Sequence, residues 1–90
     1  MPQSYTAVIC TREQFDSVIT SLLKERSEDS LAVLGFIRKR IFQYHLHCDV
    51  CLVLNEVYFR GLKFITSGGE IQSPLPWIRA TAYNVIREMS

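Results

Sequence analysis

The sequence predicts an all-α domain built from about four helices. Apolar residues recur at helical spacing in four separate stretches, and strict two-residue alternation is sustained nowhere. Polar capping candidates stand before the first two apolar stretches, Gly68-Gly69 falls between the third and the fourth, and Pro74 and Pro76 open the fourth. The chain has 90 residues, enough for one domain, and 48% of them are hydrophobic and 11% aromatic. A chain of this size buries a little over ~60% of its unfolded surface, so there is ample material for a core.

Residues 1–10 are β-branched and aromatic around Tyr5 to Ile9. A lone strand has no partner here, so they are expected to lie on the core as an arm. The helical domain is expected over residues 11–90. Thr11-Arg12-Glu13-Gln14 fits a capping box, with Thr11 capping and Gln14 reaching back. Phe15, Val18, Ile19, Leu22 and Leu23 follow at helical spacing, and the helix should end near Glu25 or Arg26.

Ser27-Glu28-Asp29-Ser30 is a polar junction with N-cap candidates and acids suited to a helix start. A second helix is expected from about Ser30 to Tyr44, with Leu31, Leu34, Ile37 or Arg38, and Ile41 inside. Arg38, Lys39 and Arg40 cluster near its C-terminal half, where positive charge suits the helix dipole. A solvated face is the plain explanation of that cluster.

His45 to Asp49 breaks the pattern before the stretch that dominates the chain, Asp49 to Leu62. At about 100° per residue, Val50, Val53, Leu54, Val57 and Gly61 gather on one side and must face the core. Leu52, Asn55, Glu56, Phe59 and Lys63 take the other side. Apolar residues among polar ones on an outward face mark a partner surface, unless another element of the domain covers Leu52 and Phe59. The helix fades over Ile65 to Ser67. Gly68-Gly69 can only be a loop, and Ser67 to Ser73 leads to Pro74 and Pro76, tolerated in the first turn of a last helix. Its buried side is Ile78, Ala82, Val85, Ile86 and Met89; Trp77, Ala80, Tyr83, Asn84 and Arg87 fall opposite, with Arg79 at the edge.

Composition narrows the function. The net charge is +1, far below what unaided DNA binding through phosphates usually needs. Three cysteines are too few for a disulfide scaffold, no apolar run approaches ~20 residues, and the N-terminus lacks the basic start and long apolar middle of a signal peptide. A cytoplasmic protein without membrane contact is expected.

His45, His47, Cys48 and Cys51, with Cys10 more distant, are the metal candidates, since imidazole and thiolate ligands suit zinc. One His–Cys pair is adjacent and there is no second C-x-x-C, so these residues are assigned to a loop and helix start, with no metal or other cofactor. No nucleophile elbow, zinc-protease helix or phosphate-binding glycine loop occurs, so no enzyme is indicated. The last helix offers aromatics interleaved with arginines, the means by which proteins hold unstacked single-stranded bases. Trp77 plugging the core beside Pro76 is the other reading.

Two stretches together resemble a known family. L-V-L-N-E-V-Y-F-R-G-L is similar to the helix of bacterial RNA polymerase sigma factors that usually reads D-L-V-Q-E-V-F-L-R-A-W. P-W-I-R-A-T-A-Y-N-V-I-R-E resembles the family's following helix, W-L-Y-R-I-A-x-N-x-A-x-D, and the order, separation and glycine-containing loop also fit. The resemblance is to the second conserved region of the sigma-70 superfamily, of the compact extracytoplasmic-function type, over roughly residues 31–90.

The resemblance implies a transcription initiation specificity factor. Its polymerase-binding residues would be Asn55 and Glu56, at the family's Gln-Glu positions, with Leu52, Phe59, Leu62 and Lys63 about them. These would dock on the coiled-coil clamp of the polymerase's largest subunit. The minus-ten promoter element would be opened, and a flipped non-template base held, by Ser67, Gly68, Gly69, Trp77 and Asn84, supported by Arg79, Tyr83 and Arg87. An anti-sigma factor is a further candidate partner. The family's acid before the clamp motif is Leu52 here, and its glutamine is Asn55. The family would continue past Ser90 through a linker to a helix-turn-helix reading the minus-thirty-five element, so the chain is expected to be a fragment. The alternative is a sigma-derived helical module that binds a protein and no DNA.

Overall fold

The computed structural model describes residues 10–24 and 26–90. The expected arm lies outside them apart from Cys10, as does Glu25 at the expected end of the first helix. Four α-helices follow one another: α1 (Arg12–Lys24), α2 (Glu28–Gln43), α3 (Val50–Thr66) and α4 (Pro74–Met89). Among the described residues there is no strand, and no helix is long and apolar enough to cross a membrane.

The helix starts follow from their caps. The Thr11 amide donates to Gln14 Oε1 at 2.9 Å and the Gln14 amide to Thr11 Oγ1 at 3.1 Å, the reciprocal pair expected from the sequence. α2 begins at Glu28, two residues before the expected Ser30, because Ser27 caps it by accepting from the Ser30 amide. Asp49 caps α3 by accepting from the Leu52 amide at 2.9 Å.

α2 and α3 end alike. At the end of α3 the Gly68 amide donates to the Ile65 carbonyl and the Gly69 amide to the Phe64 carbonyl, with Gly68 at φ 94°. At the end of α2, His45 and Leu46 make the same two bonds to Phe42 and Ile41, with His45 at φ 56°. The break at His45 is therefore a helix terminus completed by a residue other than glycine in the left-handed region.

One core holds the helices. Phe15, Ile37, Val53, Leu54, Val57, Ile78, Ala82, Val85 and Ile86 are fully buried. Gly61 is the point of closest approach: a Cβ there would lie 2.2 Å from the Phe15 ring. Ile71, in the expected loop, is also buried, and its carbonyl accepts from the Cys10 amide at 2.7 Å. The α3–α4 loop is thus tied to the core.

Three residues expected inside are exposed: Leu23 at 53%, Leu31 at 47% and Met89 at 42%. On α2 the inner stripe is Ser30, Val33, Ile37 and Ile41; Leu34 is half-buried and Arg38 exposed. The small Ser30, whose hydroxyl reaches the Ser21 carbonyl at 3.5 Å, lets α2 pack closely on α1 and turns Leu31 outward. Leu23 and Met89 sit at the ends of α1 and α4.

Candidate functional site

The outward side of α3 is as open as its sequence suggests. Leu52 is 51% and Phe59 58% exposed; Asn55, Glu56 and Lys63 are exposed and Leu62 half-buried. Leu52 and Asn55 form a ridge with a groove on each side. Leu23 of α1 borders one groove and Met89 of α4 the other. The leucine and methionine assigned to the core in fact extend the apolar surface around Leu52.

Glu56 does not stand alone on this face. Arg60 Nε donates to Glu56 Oε2 at 3.1 Å, and the same guanidinium grips Glu88 of α4 with two bonds, at 3.1 and 2.5 Å. The guanidinium holds the Glu88 carboxyl below its ordinary range, and Glu88 first, then Glu56, pushes Arg60 above its own. Glu56 is therefore held in a hydrogen-bonded network that ties α3 to α4. On the α1 side, Tyr58 donates to Asp16 Oδ1 at 2.6 Å, and that bond raises the phenol's pKa.

The outward residues of α4 do not form one face. Trp77 is half-buried, edge-on to Phe15 at 5.6 Å between centroids and tilted against Phe64 at 5.9 Å. It belongs with α1 and α3, as the core-plugging reading had it. Arg79, Tyr83 and Arg87 form a stripe four residues apart that leans the other way, onto α2. There the Tyr83 and Tyr44 hydroxyls are 3.2 Å apart and their rings meet at 64°. That bond raises the Tyr44 pKa. Arg40 lies over the rings of Phe36 and Tyr83, Arg87 over Tyr83, and Arg79 over Phe36. Asn84 is exposed beside this stripe, and Arg87 Nη1 approaches its Oδ1 at 3.5 Å.

Sequence reasoning missed the α2 half of this seam. Phe36, Arg40 and Tyr44 repeat at four-residue spacing, which was the available signal, but Arg40 was grouped with its chain neighbours Arg38 and Lys39.

In the connecting loop Ser67 and Gly68 are exposed and Gly69 is half-buried. The Phe64 ring lies where a Cβ on Gly69 would be, at 2.6 Å, so this position admits only glycine without a shift. At the other end of α3, His45, His47 and Cys51 are exposed and Cys48 is half-buried. Among the described residues, no three His, Cys, Asp or Glu side chains come together as a ligand set. Cys10 is buried against the α3–α4 loop, and burial raises its pKa. Comparison with models of known protein families, with characterised proteins and with solved structures finds no match.

Proposed function

We propose that this domain is a sigma-type promoter-recognition module, a non-catalytic specificity subunit of a bacterial RNA polymerase working in the cytoplasm. The observation that carries the reading is the open ridge of α3. Leu52 and Phe59, more than half exposed, flank Asn55 and Glu56, the residues that resemble the family's clamp-docking motif. Exposed apolar anchors beside fixed polar groups are what a protein partner buries at the centre of an interface. On this reading α3 meets the clamp of the largest subunit. Asn84, the loop from Ser67 to Gly69, Arg79, Tyr83 and Arg87 meet the single-stranded minus-ten element. The low net charge is then consistent, because polymerase supplies most of the affinity for DNA. An anti-sigma factor would compete for the α3 ridge.

One observation favours a second reading, a helical module that binds a protein and no DNA. Trp77, the strongest candidate for stacking a base, is already engaged by Phe15 and Phe64. The two readings separate in one experiment. The chain is mixed with polymerase core, and retention of a single-stranded minus-ten oligonucleotide is measured. Retention of both supports the promoter module. Retention of polymerase alone supports the second reading, and retention of neither removes the promoter module.

A further inference from the structure

The three cysteines fall into two classes. Cys10 is 6% exposed, its thiol donates to the Thr11 carbonyl at 3.5 Å, and burial raises its pKa. A thiol so placed is slow to react. Cys48 and Cys51 stand together where α3 begins, at the two ends of a C-x-x-C, and both are free thiols. Cys51 is exposed and Cys48 half-buried. Both border the same two hollows, one opening toward Arg38 and Phe42 of α2, the other reaching Leu52 and Asn55 on the α3 ridge.

An exposed thiol with a second thiol three residues away has a defined oxidation chemistry. Hydrogen peroxide transfers one oxygen to the Cys51 sulfur, giving a sulfenic acid and one water. The Cys48 sulfur then attacks the Cys51 sulfur, forms the S–S bond and expels hydroxide, which takes the Cys48 thiol proton and leaves as a second water. Two thiols lose two hydrogens and two electrons, and one peroxide becomes two waters. A dithiol reductant reverses the reaction by exchange.

The residue between the two cysteines couples this chemistry to the ridge. Asp49 is the cap of α3, extended at φ −103° and ψ 173°, and its carboxylate accepts from the Leu52 amide at 2.9 Å. A disulfide needs its two Cα atoms about 4.4–6.8 Å apart, and an extended residue inside so short a span holds the ends away from each other. Closing the bond therefore turns Asp49 out of its capping conformation and frees the amide of Leu52, one of the exposed apolar residues of the ridge.

We propose that Cys48 and Cys51 are a peroxide-responsive dithiol pair whose disulfide releases the Asp49 cap and so weakens docking at the Leu52 end of the α3 ridge. Disulfides that form in a reducing compartment are of this transient, sensing kind. The effect on docking rests on the reading that polymerase binds the ridge; the bond and the loss of the cap do not.

The test starts from the fully reduced 90-residue chain treated with a small excess of hydrogen peroxide. Mass spectrometry of the intact chain should show the loss of two hydrogens, with the bond mapped to Cys48 and Cys51 and the Cys10 thiol still open to alkylation after unfolding. Dithiothreitol should restore the original mass. Cys10→Ser should behave as wild type, whereas Cys48→Ser should stop at a sulfenic acid on Cys51 that dimedone traps. Hydrogen exchange at the Leu52 amide should be about 5-fold faster in the oxidised chain, as for a lost cap, and Asp49→Ala should match it in the reduced chain. Circular dichroism confirms that each variant is folded. The proposal is overturned if peroxide links separate chains, if Cys51 is oxidised while the Cys48 thiol stays free, or if the disulfide forms and Leu52 exchange is unchanged. Polymerase core, titrated with both forms, should bind the reduced chain more tightly. Equal binding of the two forms would overturn the proposal and leave the promoter-module reading standing. A reduced chain that binds no polymerase would remove that reading, and the disulfide and the Leu52 exchange would then decide for or against the pair.

Discussion

The outer faces of α3 and α4 look alike in sequence and differ in the folded chain. Both carry apolar or aromatic residues among polar ones at helical spacing. On α3 no facing helix supplies the neighbour: Leu52 and Phe59 are more than half exposed, and the ring beside Phe59, at 6.1 Å, is that of Tyr58, next to it in the chain. On α4 each aromatic has found a neighbour. Trp77 rests on Phe15 and Phe64, and Tyr83 meets Tyr44 and two arginines. Helical periodicity gives the direction of a side chain from its own helix axis, but not what the next helix places in that direction. α4 lies between α2 on one flank and the α1–α3 pair on the other, so residues off its core stripe still meet ring systems. The outer side of α3 looks between α1 and the end of α4, where the facing residues, Leu23 and Met89, leave grooves unfilled.

The largest test of this contrast sets Phe15 against Phe59. Phe15 is fully buried, stacks on Tyr58 at 6.3 Å, receives the edge of Trp77 and fills the space left by Gly61. Phe15→Ala should cost about 3–5 kcal/mol in urea unfolding, a large part of the stability of so small a domain. Phe59→Ala should leave the melting temperature within a few degrees. If the two substitutions cost the same, Phe59 is a core residue and the free-face description of α3 fails.

Binding is the other side of the comparison. On the proposed function, Phe59→Ala should weaken polymerase binding by about 1–3 kcal/mol in a titration with core enzyme, as for a buried interface anchor. The same substitution would then be almost silent for folding and costly for docking. On α4 the corresponding contrast is between Asn84 and Arg87. Asn84 offers a donor and an acceptor to a base edge, while Arg87 offers charge to any phosphate. Asn84→Ala on the holoenzyme should lose about 1–3 kcal/mol for the preferred base at one promoter position. Arg87→Ala should weaken all sequences alike. Equal sequence dependence for the two variants would remove Asn84 as a reader and leave the loop from Ser67 to Gly69.

The helices were legible because their signals are local. A capping box at Thr11, a capping aspartate at Asp49 and two prolines at the start of α4 act within a turn of where they stand. The core stripes of α3 and α4 were legible for the same reason, Met89 excepted. The phase of α2 was not, because Ser30 is buried only by the close approach of α1, which no residue of α2 announces. Ile71 was hidden in the same way: a single isoleucine among glycines and serines reads as loop until its carbonyl is seen to hold Cys10. For the candidate sites, the α3 ridge was visible in sequence because none of the described residues covers Leu52 or Phe59. The α2–α4 seam was not, because half of it belongs to a helix 39 residues away in the chain, the separation of Tyr44 from Tyr83.

The smallest expected effect concerns the link between the two faces. Arg60 on α3 holds Glu56 beside the ridge and Glu88 on α4. The Glu88 carboxyl is pulled below its ordinary value of 4.5, first by the hydrogen bonds from Arg60. A depressed carboxyl contributes stability that is fully present above its unfolded value and is lost as the pH falls through its folded one. Wild type should therefore unfold slightly above Glu88→Gln in thermal melts at neutral pH. The difference should shrink only below about pH 4.5 and vanish once the carboxyl is protonated. Both partners are partly in solvent, which screens the pair, so the shift will be small. Its pH dependence is the informative part. A gap between the two proteins that persisted into acid would mean that Glu88 supports α4 by some route other than Arg60. The position of Glu56 on the ridge would then be independent of where α4 lies.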